Sequence, residues 1–507
     1  MNSLVPLFVI VPLGSAFLMV IFGRLIKHLS KILVTMMLLF LLYLTFYFLY
    51  NVTEPQIYEV GGHAARNGVP IAIYLVIDGF SKLLLLIISL IGFLSALYAL
   101  SYTRQYTAEP KFYILFSLLI AGMNGLVISG DIFNIFVFLE ISSIAAYALV
   151  AFGIEREQLE ASFKYQVLGG VASLIILLSI GFIYWQTGTL NMADISAQVA
   201  GTGVFFKFVA VLLITGFGLK AAIFPFHSWL PDAHSSAPSP ISAMLSGVVI
   251  KAIGIYVILR LFFNMFAINY EISMTITVLG ALSMIIGSLL AIGQWDIKRM
   301  LAYSSISQIG YVILGVGIGM LVLVRGGDIK IAALAITGGL FHLINHAVFK
   351  GLLFLGAGAV EYRTGTRDMR KLGGLNEVMP VTASSSLIAS LSISGVPPFN
   401  GFFSKLIIII AAVQAKYYFL ALLAVIVSII TIGYFMKLQK YTFFNKNVNF
   451  PKIREVPFSM AFSQILLAVL CLGLSLLVIP DVQKIFLKPA VDALINSTAY
   501  ARVILGY

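Results

Sequence analysis

Apolar residues run through this chain in long blocks separated by short polar ones. The blocks show neither the alternation of strands nor the one-sided stripe of a soluble helix. A helix that crosses a bilayer needs about 20 largely apolar residues. Fourteen segments meet that rule, near residues 3–22, 31–50, 76–100, 111–129, 132–153, 161–186, 204–234, 238–264, 271–293, 299–322, 331–360, 379–413, 417–438 and 457–479. Ser129-Gly130-Asp131 reads as a tight turn that divides the apolar stretch 111–153 in two. The first run, Ser3 to Phe22, is long enough to span and has no basic leader, so no cleavable signal peptide is expected.

Two runs are too long and carry helix breakers at mid-depth. The seventh contains "KAAIFPFHSW" from Lys220, with Pro225 inside it. The twelfth contains "SISGVPPFNGFFSK", residues 392–405, with Gly395, Pro397, Pro398 and Gly401. Broken helices at matching places in two halves are the sequence mark of an ion or substrate path. Spans four to eight and nine to thirteen are two five-helix sets, each with its fourth member broken. An odd number of helices per set forces the two into opposite membrane orientation. The expected architecture is therefore an all-α polytopic membrane protein of about fourteen helices, with two inverted five-helix repeats broken at helices 7 and 12. The boundaries are a three-helix segment over 1–110, repeats over 111–264 and 271–438, and a loop, last helix and tail over 439–507.

Composition agrees: 60% of residues are hydrophobic and 10% charged, and mean hydropathy is +1.03. A globular domain carries about 25% charged residues. Too little charge is left to cover a water-exposed surface, which excludes a soluble enzyme, a nucleic-acid-binding module and a disordered chain. The net charge of +12 does not indicate nucleic acid, because the basic residues fall mostly in short loops. Loops after odd-numbered spans and the opposite side hold eighteen and eight Lys and Arg, respectively. The positive-inside rule then puts the odd loops in the cytoplasm and both termini outside the cell membrane. The single cysteine, Cys471, excludes a disulfide framework and a four-cysteine iron–sulfur cluster. Neither a Walker A loop nor a dinucleotide fingerprint is present, so no cofactor is expected.

Six lysines fall inside or near the ends of the runs: Lys82, Lys207, Lys220, Lys251, Lys350 and Lys405. Each costs roughly 2.5–3.5 kcal/mol at a helix centre. Lys82 and Lys207, close to span ends, are expected to snorkel to the interface. The other four are expected to line a polar interior. Glu140 is the one acid read as deep in a span, and Lys220, beside the break of helix 7, is its natural partner. The pair is either a structural tie between two helices or a switch that holds and releases a proton.

His342, His346 and Lys350 recur every four residues and so share one helical face. A His-x-x-x-His pair can bind zinc, but without an adjacent Glu a proton wire is the stronger reading, and no metal site is expected. Ser304, Ser307, Gln308 and Tyr311 form a polar face on helix 10, suited to ordered water or to plain helix–helix hydrogen bonds. In "HSWLPDAHSSAPSP", His227, Asp232 and His234 are placed to feed protons inward, or Asp232 and the serines cap the flanking helices. No nucleophile-elbow pattern accompanies them, so no hydrolytic site is recognised.

Five motifs in order and spacing resemble one family. They are "FLEISSIAAYALV" (138–150), "GLKAAIFPFHSWLPDAHSSAPSPISAMLSGVVIKAIGIYVILR" (218–260), "QWDIKRMLAYSSISQIGY" (294–311), "NHAVFKGLLFLGAG" (345–358) and "SGVPPFNGFFSK" (394–405). Together they look like the proton-conducting antiporter-like subunits of respiratory complex I, Mrp sodium/proton antiporters and membrane-bound hydrogenases. The resemblance covers residues from about 75 to 440. It implies fourteen helices with the seventh and twelfth broken, and a Glu140–Lys220 pair. It also implies Lys251 as the bridging lysine, His346 and Lys350 as connecting residues, and Lys405 as the outer-side proton donor. In the middle antiporter-like subunit of bacterial complex I a glutamate stands where this chain has Lys405. The lysine points toward the D-type subunit of Mrp antiporters and its relatives in hydrogenase and sulfane-reductase complexes.

The expected function is proton translocation by one subunit of a larger membrane complex, embedded in lipid beside other integral membrane subunits and driven by a redox reaction or a sodium gradient. No redox centre is recognised in this chain. The alternatives are a non-conducting membrane scaffold, a sodium/proton antiporter subunit without a redox partner, and a carrier of a small organic solute.

Overall fold

The computed structural model describes residues 2–23, 25–26, 28–62, 72–199, 203–266, 268–445, 453–496, 500–501 and 505. Of the charges counted for topology, Arg24, Lys27, Arg66, Lys446, Lys452 and Arg502 lie outside the described residues. The apolar blocks form helices. The chain opens with α1 (Leu7–Phe22), α2 (Leu29–Asn51) and α3 (Gly79–Tyr102). Between α2 and α3 stands an unexpected antiparallel hairpin, β1 (Gln56–Glu59) against β2 (Tyr74–Ile77), with Gln56 opposite Ile77. The apolar run read as helical from residue 76 thus begins as strand. Asp78 then starts the helix, its carboxylate accepting from the Ser81 N–H at 2.8 Å.

Next come α4 (Glu109–Ile128), α5 (Ile132–Val150) and α6 (Arg156–Thr187). A capping box between Glu155 and Gln158 starts α6 earlier than the hydropathy alone. α7 lies in two pieces, Val204–Lys220 and Leu230–Ser236. α8 (Ser239–Asn264) begins as α-helix, widens into π-helix over Leu245–Tyr256 and closes as α-helix again. α9 (Tyr270–Ile292), α10 (Ile297–Val324) and α11 (Ile329–Thr364) follow. α12 is again in two pieces, Pro380–Ser394 and Asn400–Gln414, and α13 (Tyr418–Gln439) and α14 (Phe458–Gly473) complete the series.

By length and composition, 12 helices among the described residues can each cross a membrane. The two remaining expected spans, the seventh and twelfth, are the two that divide into shorter pieces. In α7 the helix stops at Lys220, Ala222 takes a positive φ of 54°, and Pro225 lacks an N–H to continue the ladder. In α12 Gly395 ends the first piece with φ 80°, a conformation open to a residue without Cβ, and Pro397 and Pro398 follow.

α8 is buried over its whole apolar length, and α10 nearly so, which puts these two at the centre. α9 lies against α10 through glycines: a Cβ on Gly310 would fall 2.5 Å from the Met284 nitrogen, and one on Gly287 2.5 Å from that of Ser307. Small residues at such crossings let backbones approach in a lipid setting, where apolar burial supplies little drive. The outer faces carry Phe17, Phe163, Trp185 and Phe419 exposed, as a lipid-facing surface does. The molecule is a multi-pass membrane protein.

Candidate functional site

Glu140 on α5 and Lys220 at the end of the first piece of α7 meet, as their types and positions lead one to expect. Lys220 Nζ is 3.6 Å from Glu140 Oε1 and donates to Ser143 Oγ at 3.1 Å and to the Tyr147 hydroxyl at 3.3 Å. Ser173 on α6 donates to the same glutamate oxygen. The lysine side chain is 2% exposed and the glutamate 31%, so the pair has a closed and an open end. At 3.6 Å, with hydroxyl partners on both sides, it is loose enough to part without leaving either charge bare.

Lys251 sits one turn from the close crossing of α8 and α7, where Gly254 packs on Ala221. It is fully buried, and its ammonium donates to the carbonyls of Ser246 and Gly247 at 2.6 and 2.7 Å. Those carbonyls lie in the π-helical stretch, whose wide turn replaces the usual i to i−4 pairing. From the same turn, Ser246 shares a 2.7 Å hydrogen bond with Ser305 of α10.

The common face expected for His342, His346 and Lys350 is present on α11, turned toward α10. His342 Nε2 is 3.1 Å from Gln308 Oε1, and its Nδ1 is 2.9 Å from Ser404 Oγ of α12. Lys350 donates to the Leu301 carbonyl at 2.7 Å and to Ser304 Oγ. His346 lies between them, fully buried, with neither ring nitrogen hydrogen-bonded to protein. Ser307 does not join this row: its hydroxyl donates to the Met284 carbonyl at 2.9 Å, a tie from α10 to α9. Beyond His342, Lys405 starts the far end of the row. It donates to the Ile393 carbonyl at 2.9 Å and Ser428 Oγ at 3.2 Å, with Nζ 4.8 Å from the centre of the Tyr311 ring. The break in α12 thus supplies Lys405 with a carbonyl from the last turn of its first piece, whereas Lys220 at the α7 break is held by hydroxyls of α5.

At the opposite rim the segment after α7 is not a set of helix caps, since no side chain caps either flanking piece. Asp232 instead bridges Lys164 at 3.0 Å and Arg299 at 2.9 Å. His227 is half-buried at the break, and its Nδ1 has no hydrogen-bond partner. His234 is fully buried between the rings of Trp229 and Phe354, with the Leu230 backbone beside it. Lys207 is exposed and paired with Glu271 at 3.0 Å. Lys82 does not snorkel: it is 5% exposed and donates to the Val52 carbonyl at the end of α2.

Several ionic contacts were not legible beforehand. Arg260, counted as a loop charge, is buried in α8 and grips Asp78 with two hydrogen bonds of 2.6 and 2.8 Å. Lys298, also counted as a loop charge, is 2% exposed and 2.7 Å from Glu361 of α11. Arg367, in the loop after α11, reaches Asp296 at 3.1 Å and Glu157 and Glu361 at 3.6 Å. Burial opposes the guanidinium charge, but these carboxylates outweigh it and hold Arg367 above its ordinary pKa. Asp78 and Glu361 lie at the ends of apolar runs, so a search for acids in run centres passes over them. Among the described residues no three His, Cys, Asp or Glu side chains gather as a metal ion would require.

Residues 129–431 match the family described as NADH:quinone oxidoreductase/Mrp antiporter, transmembrane. The D-type subunit of the Na+/H+ antiporter of Alkalihalophilus pseudofirmus is 35% identical over 455 residues, 88% of each chain. The N-type subunit of the NADH-quinone oxidoreductase of Desulforudis audaxviator is 37% identical, over 76% of this chain and 74% of its own. Among solved structures, a chain of the Mrp complex from Dietzia sp. superposes with a TM-score of 0.89 at 28% identity, covering 100% of this chain and 99% of that one. A chain of the membrane-bound sulfane sulfur reductase, an archaeal respiratory membrane complex, gives 0.88 at 30% identity, covering 99% of this chain and 100% of that one.

Proposed function

Since this chain belongs to the transmembrane family shared by NADH:quinone oxidoreductases and Mrp antiporters, we propose that it is the proton-translocating, antiporter-like subunit of a multisubunit complex in the cell membrane. Other integral membrane subunits surround it. A redox reaction or a sodium gradient, supplied by those neighbours, drives it. The two five-helix units over 111–264 and 271–438 are the inverted halves, and both termini face outward.

The observation that carries this reading is the row of buried titratable groups, Lys220, Lys251, His346, Lys350 and Lys405, set in the central helices. Protons enter from the cytoplasm to Lys220 and pass by Lys251, His346 and Lys350 to Lys405, where they leave. Lys220 is held by two hydroxyls, Lys251 by two carbonyls, and Lys350 and Lys405 each by a carbonyl and a hydroxyl, which solvate an ammonium without fixing it in an ion pair. Glu140 is the exception, and its loose contact sets how tightly Lys220 holds its proton. Moving one charge against 100 mV takes about 2.3 kcal/mol, within the range over which such a contact changes when it opens.

Substitution in the intact complex separates conduction from scaffolding. Lys220→Ala is expected to abolish proton-coupled transport in membrane vesicles while the complex still assembles. Glu140→Gln is expected to lower the rate per assembled complex by about tenfold, the effect of ~1.4 kcal/mol on a barrier. A scaffold predicts the reverse for both: less complex, and unchanged transport in what remains.

A further inference from the structure

Resting on the proton-translocating role, we infer that Glu361 is the first proton acceptor of a cytoplasmic entrance along the seam of α10 and α11. In it, Lys298 and Arg367 act as the inner and outer arms of a gate.

The entrance begins at a cavity of about 420 Å³ lined by Glu157, Lys164, Asp232, Asp296, Arg299 and Arg367. Both signs of charge alternate around it, so it collects water rather than one class of ion. Arg367 forms its inner wall, pulled outward by Asp296 and Glu157 and by the Ser235 carbonyl to which it donates. Behind Arg367 stands Glu361, with its two oxygens divided between arms. Oε1 is 3.6 Å from Arg367 Nη1, and Oε2 is 2.7 Å from Lys298 Nζ. Tyr98 and Tyr106, from α3 and the turn after it, are the other titratable groups within electrostatic reach of this carboxylate. Glu361 is therefore contacted from the cavity side by one cation and from the buried side by another.

The inner side leads to the row already described. Glu361 follows Lys350 by eleven residues on α11, about three turns and ~16 Å, which returns it to the same face. On α10, Lys298 precedes by about one turn Leu301, and by nearly two Ser304, the groups that hold Lys350. Lys298 also donates to the Ala237 carbonyl at 3.2 Å, three residues after His234. The His234 imidazole packs on Phe354, one turn from Lys350, with the Leu230 backbone within reach of the ring. A buried imidazole with one nitrogen held toward a carbonyl can take a proton on the other nitrogen and release it again.

A hydronium in the cavity gives its proton to the Glu361 carboxylate, forming the neutral acid and water. The Lys298 ammonium, no longer paired, releases a proton to His234 and becomes a neutral amine. His234 passes a proton to the Lys350 amine. Glu361 then returns its proton to Lys298, and the ion pair is restored with one proton moved inward.

The test uses the intact complex in inverted vesicles, with transport measured against pH on the cytoplasmic face. Glu361→Gln is expected to slow transport roughly a hundredfold, the contribution of a positioned proton-transfer group, and Glu361→Asp to restore part of it. A Glu361→Gln complex that transports at the wild-type rate with an unchanged pH profile would overturn the inference. Because Glu361→Gln leaves Lys298 buried and unpaired, the double variant Glu361→Gln/Lys298→Met guards against a folding defect. It removes both charges and is expected to assemble normally yet stay slow, and normal transport by it would mean that the pair only holds helices together. Lys220→Ala in the same vesicles keeps the two readings apart. Loss of transport there with a fast double variant removes the entrance alone, whereas transport retained both in Lys220→Ala and in the double variant removes the translocating role itself.

Discussion

At the scale of single residues, the membrane-depth charges divide by how completely they are satisfied. Arg260 and Asp78 form a bidentate pair closed in by Tyr256, Ser81 and Asn264, with the Tyr500 ring 5.2 Å from the guanidinium. Nothing in that cage offers a second position to either charge, so the pair locks α3, α8 and the tail together. Removing one member leaves the other buried and unpaired, which costs roughly 3–5 kcal/mol. Asp78→Asn is therefore expected to lower the melting temperature of the purified protein in detergent markedly. Glu140→Gln is expected to lower it far less, since Lys220 keeps Ser143 and Tyr147 and the glutamate is partly open. Equal losses in the two melts would refute this division. The sequence made Glu140 and the four deep lysines legible because each interrupts the middle of an apolar run. Asp78, Arg260, Lys298 and Glu361 sit where a run meets a loop, and only the tertiary packing tells a buried end from an exposed one.

At the scale of elements, hydropathy locates a helix well and describes its interior poorly. The breaks in α7 and α12 were legible because proline and glycine act on the backbone directly. The hairpin was not, since Tyr74-Leu-Val-Ile77 is as apolar as a helix start and too short to show a period of two. The π-helical stretch around Lys251 left no trace either, because an apolar run buried on all sides has no polar face to drift out of register. Crossings set by glycine are testable. Gly310 meets the backbone of α9 on all sides of its missing Cβ, so Gly310→Leu forces the two helices apart. Overpacking of this kind costs about 1–3 kcal/mol and more where backbone must move, and the variant is expected to show reduced yield and thermal stability. Gly170 on α6 has open space at the same position. Gly170→Ala is expected to be neutral or to stabilise by up to ~1 kcal/mol through helix propensity. If both variants melt alike, close glycine contact is not what holds α9 to α10.

At the scale of the whole molecule, direction is the property that links charge distribution to transport. In the proposed orientation, which follows the excess of eighteen basic residues over eight expected from the sequence, the loops after odd-numbered helices are cytoplasmic. On that side lie Arg299 in the first turn of α10 and Arg367 and Arg370 in the loop after α11, so in that orientation the charged cavity, the proposed Glu361 entrance and the approach to Lys220 all open where protons are taken. Lys416, between α12 and α13, lies on the opposite side, with the Lys405 break facing it. In that orientation the two proposed half-paths point the same way, although the two proposed five-helix units are inverted. Exposure at Arg370 and Lys416 gives this a direct test. In a Cys471→Ser background, a membrane-impermeant maleimide applied to intact cells is expected to label Lys416→Cys and to spare Arg370→Cys, and inverted vesicles are expected to reverse the pattern. The reversed result in cells would turn the molecule over. The charged cavity would then face outward, and Glu361 would have to be a release group, because a carboxylate held between two cations cannot serve as a cytoplasmic acceptor from the far side of the membrane.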